Sequence, residues 1–379
     1  MPSGNPTHFS IYRRAIELER LGRKIYHLEV GDPYVDIDRD VIDEMCLRAK
    51  MGYIHYSDPK GIVEFREGIV EYLADRIGVS LDVDNILVSV GSKTALYLIL
   101  RYLFSQGDKV VVFEPTWGVY RLLAGDMGIE YVSYGTSLEY GWIPGRDVLD
   151  RLGDIDFDVL ILLNPSNPTG RVYDESLVKD LIKIVEEKDA YIIGDEVYFD
   201  TAFGIDVFPS VLRYGYYKTL ALYSLSKSHA LSGFRVGWLV GDKDIIDKLS
   251  GVVQRIYTNV PVFIQFGALE ALSNRDIVRR NRDIYRSRVD ILAKTLSELG
   301  FRFYYPEATF YIFAEAPKTI VDVDSFIISL LEDAGVAVAP GMSFGDYGRF
   351  IRFSASIFEG LLIEAMDRLS EYMRKNNLA

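Results

Sequence analysis

Six short runs between Asn85 and Asp242 are apolar on both parities: Ile86–Val90, Lys109–Phe113, Asp158–Leu163, Tyr191–Ile193, Leu220–Tyr223 and Val236–Val240. A strand with one face in water alternates apolar and polar side chains, so runs of this kind must be covered on both faces. Helical stretches separate them, and the region is therefore expected to be a layered α/β domain with a buried parallel sheet. In such sheets ligands sit beyond the carboxyl ends of the strands, which makes the residues directly after each run the ones to inspect.

Each of those ends carries polar or aromatic groups. Gly91-Ser92-Lys93 follow the first run, Glu114-Pro115-Thr116-Trp117 the second, and Asn164-Pro165-Ser166-Asn167-Pro168-Thr169-Gly170 the third. Gly194-Asp195-Glu196-Val197-Tyr198 follow the fourth and Ser224-Leu225-Ser226-Lys227 the fifth, with Arg235 eight residues after the lysine. Two readings of that last stretch stand on its residues alone. Lys227 holds an aldehyde cofactor as a Schiff base while the hydroxyls and the guanidinium hold a phosphate, or a solvated lysine stands near a surface salt bridge.

Composition narrows the classes. The 379 residues, 49% of them hydrophobic, suffice for a large core and suggest about two domains. A net charge of -13 argues against nucleic acid, whose backbone selects clustered cations. The single cysteine, Cys46, rules out an internal disulfide and fits a cytoplasmic protein. Met1 to Ser10 are polar and lack the apolar core of a secretory signal. No stretch reaches about 18 uninterrupted apolar residues, so no membrane span is expected. The histidines, His8, His27, His55 and His229, have no paired ligand spacing, and no metal is expected. Neither a GxG nor a Gly-Lys pair occurs, which removes the dinucleotide fingerprint and the P-loop.

Residues 277–300 have helical spacing and a series of arginines, Arg279, Arg280, Arg282, Arg286 and Arg288, read as a solvated face. Beyond them lie strand and helix pieces, Phe301–Tyr305, Phe310–Phe313, Phe326–Ala334 and Phe350–Ser354, as expected for a smaller domain.

In combination, the Asn-Pro-x-Asn-Pro-Thr-Gly, Asp-Glu-x-Tyr and Ser-x-Ser-Lys motifs, in that order and with Arg235 following, resemble the pyridoxal-phosphate-dependent aminotransferases of class I/II, from about Leu28 to Ser354. The resemblance implies fold type I: a three-layer sandwich with a mostly parallel central sheet over residues 50–279, and a smaller α+β domain from residues 1–49 with 280–379. It implies pyridoxal 5'-phosphate (PLP) as cofactor, amino acid and 2-oxo acid substrates, and a ping-pong amino transfer. Lys227 would form the Schiff base and carry the proton at the substrate Cα. Asp195, a carboxylate too costly to leave unpaired at a buried strand end, would face the protonated pyridine nitrogen. Tyr198 and Asn167 would hydrogen-bond the ring oxygen, and Trp117 would lie against the ring. The amides of Ser92 and Lys93, the hydroxyls of Ser224 and Ser226, and Arg235 would hold the phosphate, with the Lys93 side chain left in solvent. Tyr56 would reach the phosphate of a neighbouring subunit, making the protein a homodimer. Arg352 would bind the substrate carboxylate in two-pronged fashion, with Arg349 close by as a rival, and the Gly31 backbone would approach the substrate.

A PLP-dependent carbon-sulfur β-lyase shares these cofactor residues and is the alternative on the same fold. A non-catalytic PLP-binding protein is less favoured because the lysine is intact. Ser-x-x-Lys hydrolases require Ser-Asp-Asn and Lys-Thr-Gly elements, which are absent. The donor amino acid is not legible. Tyr12, Tyr26 and Tyr34 lie in segments that in the resembling family can line the substrate pocket.

Overall fold

A helix, His8–Arg20, capped reciprocally by Thr7 and Ser10, leads into β1 (Tyr26–His27). The structure, a computed structural model, describes residues 6–378; Met1 to Asn5, half of the polar N-terminal stretch, and Ala379 lie outside the described residues. After helices Arg39–Lys50 and Val63–Ile77 come the strands of the main sheet: β2 (Ile86–Ser89), β3 (Lys109–Glu114), β4 (Glu130–Gly135), β5 (Val159–Leu163), β6 (Tyr191–Asp195), β7 (Thr219–Ser224) and β8 (Gly237–Val240). They pair in the order β2-β8-β7-β6-β5-β3-β4. Only β8 runs against the rest, antiparallel to both neighbours.

The doubly apolar runs are explained by what covers them. Every residue of β2, β5 and β7 is buried. In β5, Val159, Ile161 and Leu163 enter one apolar core while Leu160 and Leu162 enter another on the opposite face, so helices cover both sides. β4 was not anticipated. It is the sheet edge, half-buried, and its sequence Glu130-Tyr131-Val132-Ser133-Tyr134-Gly135 has no apolar parity to detect.

Helices Lys243–Ile256, Val262–Ser273 and Arg275–Glu298 carry the chain to β9 (Arg302–Phe303), β10 (Tyr311–Glu315), β11 (Val336–Ala337), β12 (Ala339–Pro340) and β13 (Phe350–Ser354). β12, β13, β10 and β9 form an antiparallel sheet, and β11 pairs in parallel with β1, tying the N-terminal segment to the C-terminal one. The arginine face of Arg275–Glu298 is only partly solvated. Arg279, Arg280 and Arg286 are exposed, but Arg288 is buried and donates to the Tyr34 carbonyl at 2.8 Å. Helical spacing alone does not reveal a carbonyl waiting on a distant loop.

The turn after β6 is anchored from outside the sheet. Asp200, 1% exposed, accepts hydrogen bonds from Tyr72 Oη and, at 2.9 Å, from Arg76 Nε, both on helix Val63–Ile77. Removing one partner of a buried ion pair strands the other. Arg76→Met is therefore expected to lower stability by about 3 kcal/mol in denaturant melts, whereas Arg146→Met, which removes an exposed pair with Asp150 at 3.1 Å, should change it by less than about 1 kcal/mol.

Candidate active site

A cavity of about 240 Å³ opens at the carboxyl ends of β2, β3, β5, β6 and β7. It gathers Gly31, Ser92, Lys93, Trp117, Asn167, Asp195, Tyr198, Ser224, Ser226, Lys227, Arg235 and Arg352, that is, the residues to which the resemblance gives a cofactor or substrate role, with the exception of Tyr56. Tyr56 is 85% exposed and stands away from this cavity.

One end of the cavity is built for an anion. Helix Ser92–Leu103 starts at Gly91 without a side-chain cap, so its first amides are unsatisfied by the protein. Gly91 has φ +77, and a Cβ there would lie 2.6 Å from Arg235 Nη2, so the guanidinium packs directly over the turn. Arg235 itself is left-handed, φ 53, and is held by Nη1 donating to the Ser232 carbonyl at 2.8 Å. Ser224 Oγ accepts from the Ser226 amide at 3.1 Å and lies 2.8 Å from Ser226 Oγ, capping the short turn that carries Lys227.

The middle of the cavity holds a carboxylate without a full complement of partners. Asp195, 3% exposed, accepts from Tyr120 Oη at 2.7 Å through Oδ2, while Oδ1 has no partner. Burial pushes its pKa up to about 6, against the pull of Tyr120 and Lys227. Trp117 forms part of the wall, edge-on to Tyr120 at 5.6 Å. Tyr198 Oη lies 2.9 Å from Tyr311 Oη.

Lys227 Nζ donates to the Gly31 carbonyl at 2.6 Å. Burial lowers its pKa to about 8, with Asp32 opposing and Arg352, Lys93 and Arg235 assisting. Its backbone is fixed by the long helix Arg275–Glu298, where Tyr285 Oη donates to the Lys227 carbonyl at 2.9 Å and Asn281 Nδ2 to that of Ser228 at 3.0 Å. Gly31 passes so close to the Tyr311 hydroxyl that a Cβ would overlap it. On β13, Arg352 is buried, donating from Nη1 to Asn167 Oδ1 at 3.1 Å and from Nη2 to the Glu29 carbonyl, with the guanidinium 4.4 Å from the Tyr311 ring centroid and Nε unpartnered.

Arg349 is engaged elsewhere. Its Nη2 donates to the carbonyls of Ala316 and Pro317 at 2.7 and 2.9 Å, stapling a turn, so Arg352 is the arginine that faces the cavity. The Lys93 side chain is exposed, in keeping with the expectation of a solvated lysine. Its ammonium lies 4.9 Å from the Trp117 ring centroid and lines the cavity, and partial desolvation together with Arg235 lowers its pKa. Tyr12, Tyr26 and Tyr34 line a separate cavity beside His27, and Tyr26 Oη donates to Glu364 at 2.8 Å. Tyr120, Tyr311, His8 and Glu29 were missed. No local pattern marks them, because each meets the site through a partner distant in sequence.

These residues fit PLP. An uncapped helix N-terminus with a guanidinium suits a phosphate, and an unpartnered buried carboxylate oxygen suits a protonated ring nitrogen. A desolvated amine of lowered pKa suits condensation with an aldehyde.

Comparison with known proteins agrees. The family model described as aminotransferase class I and II matches residues 23–369. An aspartate/prephenate aminotransferase of Thermus thermophilus is 30% identical over 368 residues, covering 96% of this chain and 95% of the relative. An aspartate aminotransferase of Thermococcus kodakarensis is 34% identical, covering 87% and 84%. Among solved structures, the Thermus thermophilus aspartate aminotransferase with maleate superposes with a TM-score of 0.90 at 29% identity over 97% of each chain. An aromatic aminotransferase of Pyrococcus horikoshii superposes with a TM-score of 0.88 at 26% identity, covering 96% of this chain and 100% of that one. With the sheet ends, the cavity and these relatives in agreement, the chain belongs to the class I and II aminotransferases, PLP-dependent transaminases of fold type I.

Proposed function

We propose that this transaminase moves the amino group of an L-amino acid to a 2-oxo acid in a ping-pong cycle in which Lys227 carries the cofactor and shuttles the proton. The observation that carries the proposal is a single cavity holding a desolvated lysine amine, a buried carboxylate with a free oxygen and a buried guanidinium. Bound PLP supplies an aldehyde that takes up the amine and a ring that accepts the electron pair left at the substrate Cα.

The chain's own residues do the rest. Arg352 binds the α-carboxylate of the donor, with Asn167 Oδ1 fixing one arm of the guanidinium. Lys227 Nζ, with its pKa near 8, is neutral often enough near neutral pH to take a proton from Cα, and charged often enough to return it. Asp195 keeps the ring nitrogen protonated, and Tyr120 holds its other oxygen in place. Ser92, Lys93, Ser224, Ser226 and Arg235 bind the phosphate, Trp117 flanks the ring, and Tyr198 and Asn167 hydrogen-bond its oxygen. Gly31 brings its backbone up to the substrate.

We assign residues 50–279 to the part that holds the cofactor and residues 1–49 with 280–379 to the part that closes on the substrate. Arg352 and Gly31 come from the second and Lys227 and Asp195 from the first, so a bound carboxylate would draw the two together and exclude water. We also assign a homodimer. Met51, Ile54 and Tyr56 are 60%, 64% and 85% exposed, an apolar group suited to a subunit contact that would carry Tyr56 to the partner's phosphate site. Among the described residues no helix is long and apolar enough to cross a membrane, and the exposed lone thiol of Cys46 fits the reducing cytoplasm to which we assign the chain.

Borohydride reduction of the loaded enzyme, followed by peptide mapping, should place the cofactor on Lys227; a label on another lysine would refute the assignment. Mixed dimers pairing a Tyr56→Ala chain with a Lys227→Ala chain should regain activity, since one site per dimer is then intact. Independent sites that share no residue would give no such recovery. The pH dependence of the cofactor-free protein tests Asp195. Its pKa is raised from 3.8 to about 6, so the folded state holds that proton more tightly than the unfolded chain does. Stability should therefore fall as pH rises from about 4 through about 6, by on the order of 3 kcal/mol. Asp195→Asn should lose this fall, becoming more stable than the parent above pH ~6 while binding PLP more weakly. Identical pH curves for parent and variant would show that Asp195 is not the penalised group.

A further inference from the structure

Glu29 is a buried carboxylate for which the reaction so far has no use. It is 0% exposed, and one oxygen, Oε1, lies 2.8 Å from His27 Nδ1 while the other, Oε2, has no partner. A charge held this deep is costly, and an apolar side chain of similar volume would cost nothing of the kind. Its neighbours suggest the reason. The Glu29 carbonyl accepts from Arg352 Nη2 and, at 3.0 Å, from His8 Nε2. His27 continues outward, with Nε2 3.3 Å from Glu19 Oε1 on the first helix. From the substrate cavity to the surface thus run Arg352, bonded to the main-chain carbonyl of Glu29, then the Glu29 carboxylate, His27 and Glu19.

We propose that Glu29 and His27 are positioning residues for recognition of the substrate carboxylate: His27 fixes Glu29, whose carbonyl aims Arg352, and the protonation of His27 sets how strongly Arg352 attracts an anion. The proposal rests on the assignment of Arg352 to the donor carboxylate.

The surroundings of His27 define the expected direction. Helix His8–Arg20 presents Glu19 and the ring of Tyr12, 6.1 Å away between centroids. The histidine's own segment presents Glu29, β11 opposite pairs Tyr26 and His27 with the apolar Val336 and Ala337, and helix Glu359–Lys375, packed on the same strand, presents Glu364, which accepts from Tyr26 Oη at 2.8 Å. Asp32, Tyr26 and Tyr34 line the cavity that His27 also lines. Burial lowers the proton affinity of His27, but Glu29 and Glu19 together outweigh it and hold its pKa above the ordinary histidine value. His8, also close to Arg352, is pushed down to about 3 by burial and then by Arg352, and stays neutral throughout. Protonated His27 neutralises Glu29 and leaves the positive field of Arg352 intact. Once His27 loses its proton, the Glu29 carboxylate acts on Arg352 through space without that compensation, and carboxylate affinity falls as pH rises.

The test measures the Kd of the loaded enzyme for 3-phenylpropanoate, an unreactive carboxylate, from about pH 5.5 to about pH 9 by cofactor absorbance. Parent, His27→Gln, Glu19→Gln and Arg352→Met are compared. The cofactor titration is recorded for each protein without ligand, and each Kd is corrected with its own curve. The parent should bind about tenfold more tightly than His27→Gln at low pH and converge with it at high pH, because neutral glutamine mimics the deprotonated histidine. Glu19→Gln, a surface change, should move the inflection to lower pH, since the histidine loses an anion. The donor KM should follow the same pattern while kcat stays within about twofold. A parent-to-variant ratio that is flat with pH, with only a lowered Tm, would overturn the proposal and leave Glu29 as a structural group. Arg352→Met separates the two levels: retained affinity in that variant would refute the carboxylate assignment itself, whereas lost affinity together with a flat histidine ratio would refute only the positioning role.

Discussion

Strands β5, β6 and β7 are packed on both faces, which leaves their ends as the places where polar groups can stand without disturbing a core. The rest of the molecule follows from that constraint. Asp195 is the last residue of β6, Asn167 and Lys227 lie just past the ends of β5 and β7, and the parallel direction of the strands brings the ends to one edge. β8 runs the other way and serves a different purpose. It lets β2 join the sheet in the common direction, so that the uncapped helix start at Ser92 opens onto the same cavity.

The cavity is held in a state that folding alone would not favour. Asp195 has one unpartnered oxygen, the proton affinity of Lys227 is depressed by burial, and Arg352 Nε has no acceptor. Each is a desolvated polar group at a cost to folding, and in the proposed function a cofactor or a substrate would offset that cost. Long-range contacts offset that cost. Tyr120 braces Asp195, Tyr285 and Asn281 brace the Lys227 turn, and Tyr72 and Arg76 hold Asp200 just after the site tyrosine. The Glu29 carbonyl does the same for Arg352. Rigid support of this kind is what allows an electrostatic site to act without reorganising.

Much of this was legible in the chain. Apolar runs on both parities announced the sheet, and the motifs after them named the residues that meet in the cavity, because strand-end chemistry is local in sequence. Other features were not legible, for physical reasons. β4 sits at an edge and has no parity to read. Arg288 lies on a face rich in arginines, yet it is buried because Tyr34 offers it a carbonyl. Lys93 is exposed as its sequence suggests, but the Trp117 ring beneath its ammonium has no local signal. Tyr12, Tyr26 and Tyr34 are close to Gly31 in sequence and line another cavity.

By itself the sequence determined the layered sheet, the family and the groups that line the cavity, since these depend on hydrophobic periodicity and on motifs a few residues long. Tertiary structure alone decided which arginine faces the cavity, which tyrosines support it, and how far each ionisable group departs from its ordinary proton affinity. Arg349 and Arg352 stand three residues apart on one segment, yet the first is spent on carbonyls of a turn and the second on Asn167 and Glu29. Burial and partnership depend on atoms that folding brings from distant parts of the chain, and no local pattern encodes them.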